Sequence, residues 1–156
     1  MVTEDPAVFA PLLPYGRRLF GLDLGTKTVG LALSDVSRTI ASGFETIRRT
    51  KFTADANVLL GHVAEHRVCG LVLGLPRNLD GSEGPRAQST RSFARNLGKL
   101  SPLPILLWDE RLTTAAAERL LIEADQSRKR RAEVIDKMAA TLILQGALDR
   151  LKAFDG

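Results

Sequence analysis

The sequence predicts an α/β domain built on a mixed five-stranded sheet flanked by helices. Apolar runs of strand length recur between clusters of glycine, proline and polar residues, and the segments between them space their apolar residues as helices do. The order is three strands, helix, strand, helix, strand, helix, helix. An antiparallel hairpin therefore comes first, and helix-linked parallel strands follow.

The chain has 156 residues, 44% of them hydrophobic, which suits one cooperative domain with its own core. Residues 1–16 read as a disordered lead-in: Met1 to Tyr15 holds Glu4, Asp5 and three prolines, without the basic and apolar regions of a signal peptide. The domain proper is assigned to 17–152. Arg18 to Leu24 has a strand pattern, Gly25 to Thr28 is a tight turn, and Val29 to Ser34 completes a hairpin. A third extended piece, Gly43 to Arg48, carries Glu45 and Thr46 and reads as an edge strand. From Thr53, a plausible N-cap, Ala56, Leu59, Leu60, Val63 and Ala64 follow helical spacing. Val68 to Leu75 is a continuous apolar strand. Pro76 to Pro85 is a polar loop, Arg86 to Leu97 a helix, and Pro104 to Trp108 a buried strand. Thr113 or Thr114 can cap a helix striped by Ala117, Leu120, Leu121 and Ala124, and a last helix runs from about Ala132 to Leu151.

Composition narrows the function classes. With six Phe, one Tyr and one Trp, stacking on several bases is not expected as the main mode of binding nucleic acid. The net charge of +4 and a pI near 9.6 favour phosphate-rich partners. Cys69, the sole cysteine, lies in an apolar strand, which excludes disulfide frameworks and thiolate metal sites. No apolar run approaches the ~20 residues of a membrane span, and the expected compartment is the reducing cytoplasm. His62 and His66 share one predicted helix far in sequence from the acidic candidates, so neither a histidine triad nor a zinc site is expected.

Three acidic positions carry the chemistry. Strand alternation puts Phe20, Leu22 and Leu24 on one face and Leu19, Gly21, Asp23 and Gly25 on the other. Asp23 is thus a mid-sheet carboxylate whose same-face neighbours are glycines, leaving room above it. Asp109-Glu110-Arg111 directly follows the strand Ile105-Leu106-Leu107-Trp108, at the C-terminal strand edge where open α/β sheets bind ligands. Asp136 shares its helix face with Ala139, Ala140 and Ile143, where a carboxylate is costly unless it meets a cation. Carboxylates brought from two strands and a helix suit hard divalent cations and metal-assisted phosphodiester cleavage, with no nucleophilic side chain required. Lys27, Arg77, Asn78, Arg111 and the run Arg128-Lys129-Arg130-Arg131 are the candidate phosphate contacts, fixing a backbone without reading sequence.

Four blocks resemble one family: Gly21-Leu22-Asp23-Leu24-Gly25-Thr26-Lys27-Thr28-Val29-Gly30; Gly74-Leu75-Pro76-Arg77-Asn78 with Asp80-Gly81; Asp109-Glu110-Arg111-Leu112-Thr113-Thr114; and Ile135-Asp136-Lys137-Met138-Ala139-Ala140. Together, in this order, they resemble the YqgF/RuvX proteins. The resemblance implies a ribonuclease H-like fold and a nuclease that uses Mg²⁺ or Mn²⁺. It implies catalytic roles for Asp23, one or both of Asp109 and Glu110, and Asp136, with Asp23, Glu110 and Asp136 favoured as metal ligands. The implied partner is a nucleic acid, foremost the precursor of small-subunit (16S) ribosomal RNA and alternatively branched DNA. A homodimer fits the second case, because a four-way junction offers two symmetric cut sites.

Two other classes compete. Asp23-Leu24-Gly25-Thr26 also resembles the first phosphate loop of actin-like and sugar-kinase ATPases, but those cradle ATP between two such domains and this chain has length for one. A nucleic-acid-binding module without catalysis would have no use for the three carboxylates.

Overall fold

The computed structural model describes residues 1–112 and 128–154, with side chains left undescribed over 128–136. Six strands form one sheet among these residues: β1 (Val2–Thr3), β2 (Arg18–Leu24), β3 (Thr28–Ser34), β4 (Ala41–Arg48), β5 (Val68–Leu75) and β6 (Ile105–Asp109). Their order is β1-β6-β5-β2-β3-β4. β2, β3 and β4 form an antiparallel meander, whereas β5 and β6 run parallel to β2 in turn. Among the described residues four α-helices accompany the sheet: α1 (Pro6–Phe9), α2 (Phe52–His66), α3 (Pro85–Leu100) and α4 (Arg128–Leu151).

The sequence places the five principal strands, and β4 is the edge strand expected of it, starting at Ala41 rather than Gly43. The lead-in is different. The disorder expected of residues 1–16 is replaced by the strand β1, which pairs parallel to β6, and by α1, capped by the Asp5 carboxylate accepting from the Ala7 N–H. Phe9, fully buried among Leu19, Cys69 and Leu106, anchors that segment. One aromatic residue in a polar, proline-bearing stretch leaves no periodic signal, so its burial is invisible before the sheet exists.

Smaller differences concern helix starts. α2 begins at Phe52 with Lys51 at the cap position. Thr53 does not cap it, and the Asp55 carboxylate instead gathers the Thr50 N–H and hydroxyl. α4 begins at Arg128, one turn before the expected start. The helix expected from Thr113 or Thr114 to Ala124 lies outside the described residues.

The sheet separates two cores. On one face Phe20, Leu22, Leu24, Leu71, Leu73, Leu75 and Leu107 pack with α2 and α3 residues such as Leu59, Phe93 and Leu97. On the other, Leu19, Ala32, Val72, Leu106 and Trp108 meet Ala140, Ile143, Leu144, Ala147 and Leu148 of α4. That α4 face alternates small and large residues at helical spacing, which lets the helix sit close to the strands. At Gly21 the helix backbone itself comes close: a Cβ there would stand 2.6 Å from the Leu144 Cβ and 2.9 Å from the Ala140 carbonyl oxygen. A side chain at position 21 would lift α4 off the sheet.

Candidate active site

Asp23 projects from β2 on the α4 face of the sheet and is 1% exposed. Burying a carboxylate is costly unless its surroundings answer its charge, so its position is informative. Across the hairpin it pairs with Gly30, and on the other side the register Leu22 with Leu73 sets it alongside Gly74 of β5. Both neighbours lack side chains.

Glu110 reaches the same place from β6. It opens a short 3₁₀ turn, Glu110–Leu112, and is 6% exposed. A Cβ on Gly74 would stand 2.9 Å from Glu110 Oε1 and 2.4 Å from Ile143 Cδ1. The space a side chain would fill at position 74 is therefore taken by the Glu110 carboxylate and by α4. Asp136 lies on α4 one turn before Ala140, whose carbonyl oxygen comes so near Gly21, but its side chain is outside the described residues.

Asp109, one residue away, has a different environment. Its carboxylate accepts from the Arg111 backbone N–H at 2.9 Å, from Arg111 Nη2 at 2.7 Å and from Arg77 Nη1 at 3.5 Å. The Arg111 hydrogen bonds hold its pKa below the usual carboxylate value, with burial opposing them. Arg77 also pairs with Glu4 and Glu83, and Glu83 bridges on to Arg91 at 2.6 Å. The Arg91 hydrogen bond brings the Glu83 carboxyl down to about 2. Arg77 and Arg111, two of the expected phosphate contacts, are thus gathered around Asp109 in an internal network of charges.

The other expected contacts are scattered. Lys27 is exposed in the β2–β3 turn, and its carbonyl accepts from the Arg49 N–H at 2.8 Å. Asn78 donates to the Ser82 hydroxyl at 2.9 Å within the polar loop. The side chains of Arg128, Lys129, Arg130 and Arg131, on the first turn of α4, fall outside the described residues. Two arginines that sequence reasoning passed over border the site instead. Arg86 Nη2 stands 4.0 Å from Asp23 Oδ1 and donates to the Leu24 carbonyl at 2.9 Å, and Arg49 Nη1 donates to the Gly25 carbonyl at 2.6 Å. Arg86 follows Pro85 at the first turn of α3, a position from which a side chain can reach a neighbouring strand end; that was the available signal.

His62 and His66 lie on α2, where their rings stand edge-on to Phe44 and His62 pairs with Glu45 at 2.7 Å. With Glu65 they bring ligand atoms within 4.8 Å of one another. Their helix packs on the sheet face opposite Asp23. No described helix is long and apolar enough to cross a membrane.

Comparison with known proteins agrees with this architecture. A family model described as "RuvX: Holliday junction resolvase" matches residues 17–150. A relative from Paracoccus denitrificans, provisionally named a pre-16S rRNA nuclease, is 65% identical over 97% of this chain and 96% of its own length. Another from Roseobacter denitrificans, with the same provisional name, is 63% identical over 97% and 94%. Among solved structures, Thermus thermophilus RuvC bound to a Holliday junction substrate superposes with a TM-score of 0.54 at 11% identity, covering 87% of this chain and 96% of that one. At that identity the likeness speaks for the fold, which is ribonuclease H-like, with β1 as a sixth strand beside the expected five. A family match running from β2 into α4, and relatives sharing almost two residues in three over 97% of the chain, establish that this protein is a nuclease of the RuvX family.

Proposed function

We propose that the protein is a cytoplasmic, metal-dependent phosphodiesterase that processes the precursor of 16S ribosomal RNA, with Asp23, Glu110 and Asp136 holding Mg²⁺ or Mn²⁺. The observation that carries this reading is the pair of buried carboxylates, Asp23 and Glu110, converging beside Gly74 on the α4 face. The relatives' names favour ribosomal RNA as substrate.

The residues present fit a hard divalent cation. The donors are carboxylate oxygens, which such ions prefer, and the absence of a side chain at Gly74 lets the Glu110 carboxylate come in against β5. When bound, the cation would activate water and stabilise the leaving oxygen. The chain's own contribution is to fix the ligands. β2 and β6 are inner strands packed on both faces, so Asp23 is held within the core and Glu110 opens the 3₁₀ turn directly after β6. Asp109 is assigned a supporting role, because its oxygens are engaged by Arg111 and Arg77. Arg86, beside Asp23, moderates the repulsion a phosphodiester would meet on approach.

The test is cleavage of an RNA spanning a 16S precursor end, beside a four-way DNA junction, with Mg²⁺, Mn²⁺ or chelator. RNA cleavage that requires the metal and is abolished in Asp23→Asn is expected. That variant should melt no lower than the parent without metal, since one carboxylate fewer relieves repulsion. Cutting of the junction alone, by a stable homodimer, would instead favour the substrate named in the family's description.

A further inference from the structure

Where β2 ends, a cleft of about 450 Å³ opens between the β2–β3 turn, the end of β4 and the first turn of α3. Gly25, Thr26, Arg49, Arg86 and Ser89 are among the residues that line it. Arg86 and Arg49 are held by successive carbonyls at the end of β2 and just past it, those of Leu24 and Gly25. A guanidinium has five N–H donors in a fixed fork, and a carbonyl engages few of them. Among the described residues, Arg49 has no carboxylate within 4.0 Å, and Arg86 has Asp23 alone, at that limit. Arg77, Arg91 and Arg111 each lie against one or more carboxylates. Both forks in the cleft are therefore fixed in place while keeping donors to spare.

The remaining lining suits the same ligand. Thr26 and Ser89 are exposed hydroxyl donors, and Gly84 caps α3 without a side chain, so the positive end of a 16-residue helix borders the cleft. Among the described residues no aromatic ring lines it, whereas a tetrahedral oxyanion finds two forks and two hydroxyls. We propose that this cleft is a phosphate subsite, in which Arg49 and Arg86 grip the backbone phosphate of the substrate strand next to the bond cut at Asp23 and Glu110. The proposal rests on the nuclease reading above and adds positioning residues to it. Because the contacts go to phosphate, the subsite fixes the strand's register over the carboxylates without selecting sequence.

The test separates binding from cleavage. A 5′-fluorescein single-stranded RNA is titrated by anisotropy into Asp23→Asn protein with Mg²⁺, across a salt series, with and without Arg49→Gln and Arg86→Gln. The double substitution should weaken binding by about tenfold or more, as expected for losing charge-assisted contacts, and should lower the salt slope by about one. In the Asp23-intact protein it should raise KM much more than it lowers kcat. Lysine at both positions should restore part of the affinity, since charge survives and the fork does not. If the double variant does not fold, Arg86→Gln alone carries the test, because its side chain is 45% exposed. Affinity and salt slope equal to the parent's in a folded variant overturn the subsite. Cleavage that persists in Asp23→Asn overturns the nuclease site instead, and leaves the anisotropy result to judge the subsite independently.

Discussion

Two neighbouring regions at the C-terminal edge of the sheet use the same residue types to opposite ends. Around Asp109, the arginines at 77, 91 and 111 interlock with Glu4, Glu83 and Asp109 itself. Around Asp23, two carboxylates are buried beside Gly74, and the nearest described guanidinium stands 4.0 Å off. The first region pairs its charges with one another and ties the loop after β5 to the turn after β6. The second buries two carboxylates side by side in a fixed place, the arrangement that the proposed function uses to gather a cation. Counting charged residues along the sequence cannot separate the two; what their neighbours are does.

The contrast is broken most directly by exchanging amides for carboxylates at adjacent positions. Glu110→Gln should reduce cleavage by at least about 100-fold, the scale set by losing one preorganised electrostatic group, with little change in melting temperature. Asp109→Asn should do the reverse: a loss of about 1–2 kcal/mol of stability, for hydrogen bonds to charged partners at a partly screened site, and a far smaller loss of rate. Calorimetry and single-turnover cleavage on both variants decide it, and equal rate losses would merge the two regions into one site.

The glycines sharpen the same contrast. Gly21→Ala meets the Leu144 Cβ and the Ala140 carbonyl, which cannot move without moving α4, so it should cost about 1–3 kcal/mol of stability. Gly74→Ala meets the far ends of Ile143 and Glu110, which can turn aside. It should cost less stability and more activity, because the Glu110 carboxylate is what turns.

The smallest expected effect is in acid. Arg91 depresses the Glu83 pKa and Arg111 that of Asp109. A carboxyl whose folded pKa is lowered adds stability above its ordinary value, here 4.5 for Glu83, and that contribution vanishes as the pH falls through the folded value near 2. Melting temperature should therefore drop between those limits, and drop less in Glu83→Gln. Parallel pH profiles for the two proteins would show that the charge network adds no stability.

Much of this was legible before the structure. Period-two alternation put Asp23 on the strand face that meets α4, although the room expected above Gly21 is taken by Leu144 and Ala140, and the apolar run before Asp109-Glu110 marked a strand end. Alternation stops where β6 ends, however, so it could not tell which of two successive carboxylates turns toward Gly74 and which toward Arg111. Arg49 and Arg86 lie 24 and 62 residues from the carbonyls they bind, and no local pattern joins them. Phe9 shares that difficulty, being defined by a pocket that later strands supply.

The parallel pairing of β1 with β6 also bears on how the molecule assembles. Val2 and Thr3 are matched with Ile105 and Leu106, a closure across about a hundred residues, whereas the β2–β3–β4 meander joins neighbours in sequence. Loop closure of that length is entropically unfavourable until the intervening strands have docked. The segment that comes first in the chain is therefore placed last. In amide exchange under native conditions, Val2 and Thr3 should open well before β2 and β5, leaving β6 as the sheet's transient margin.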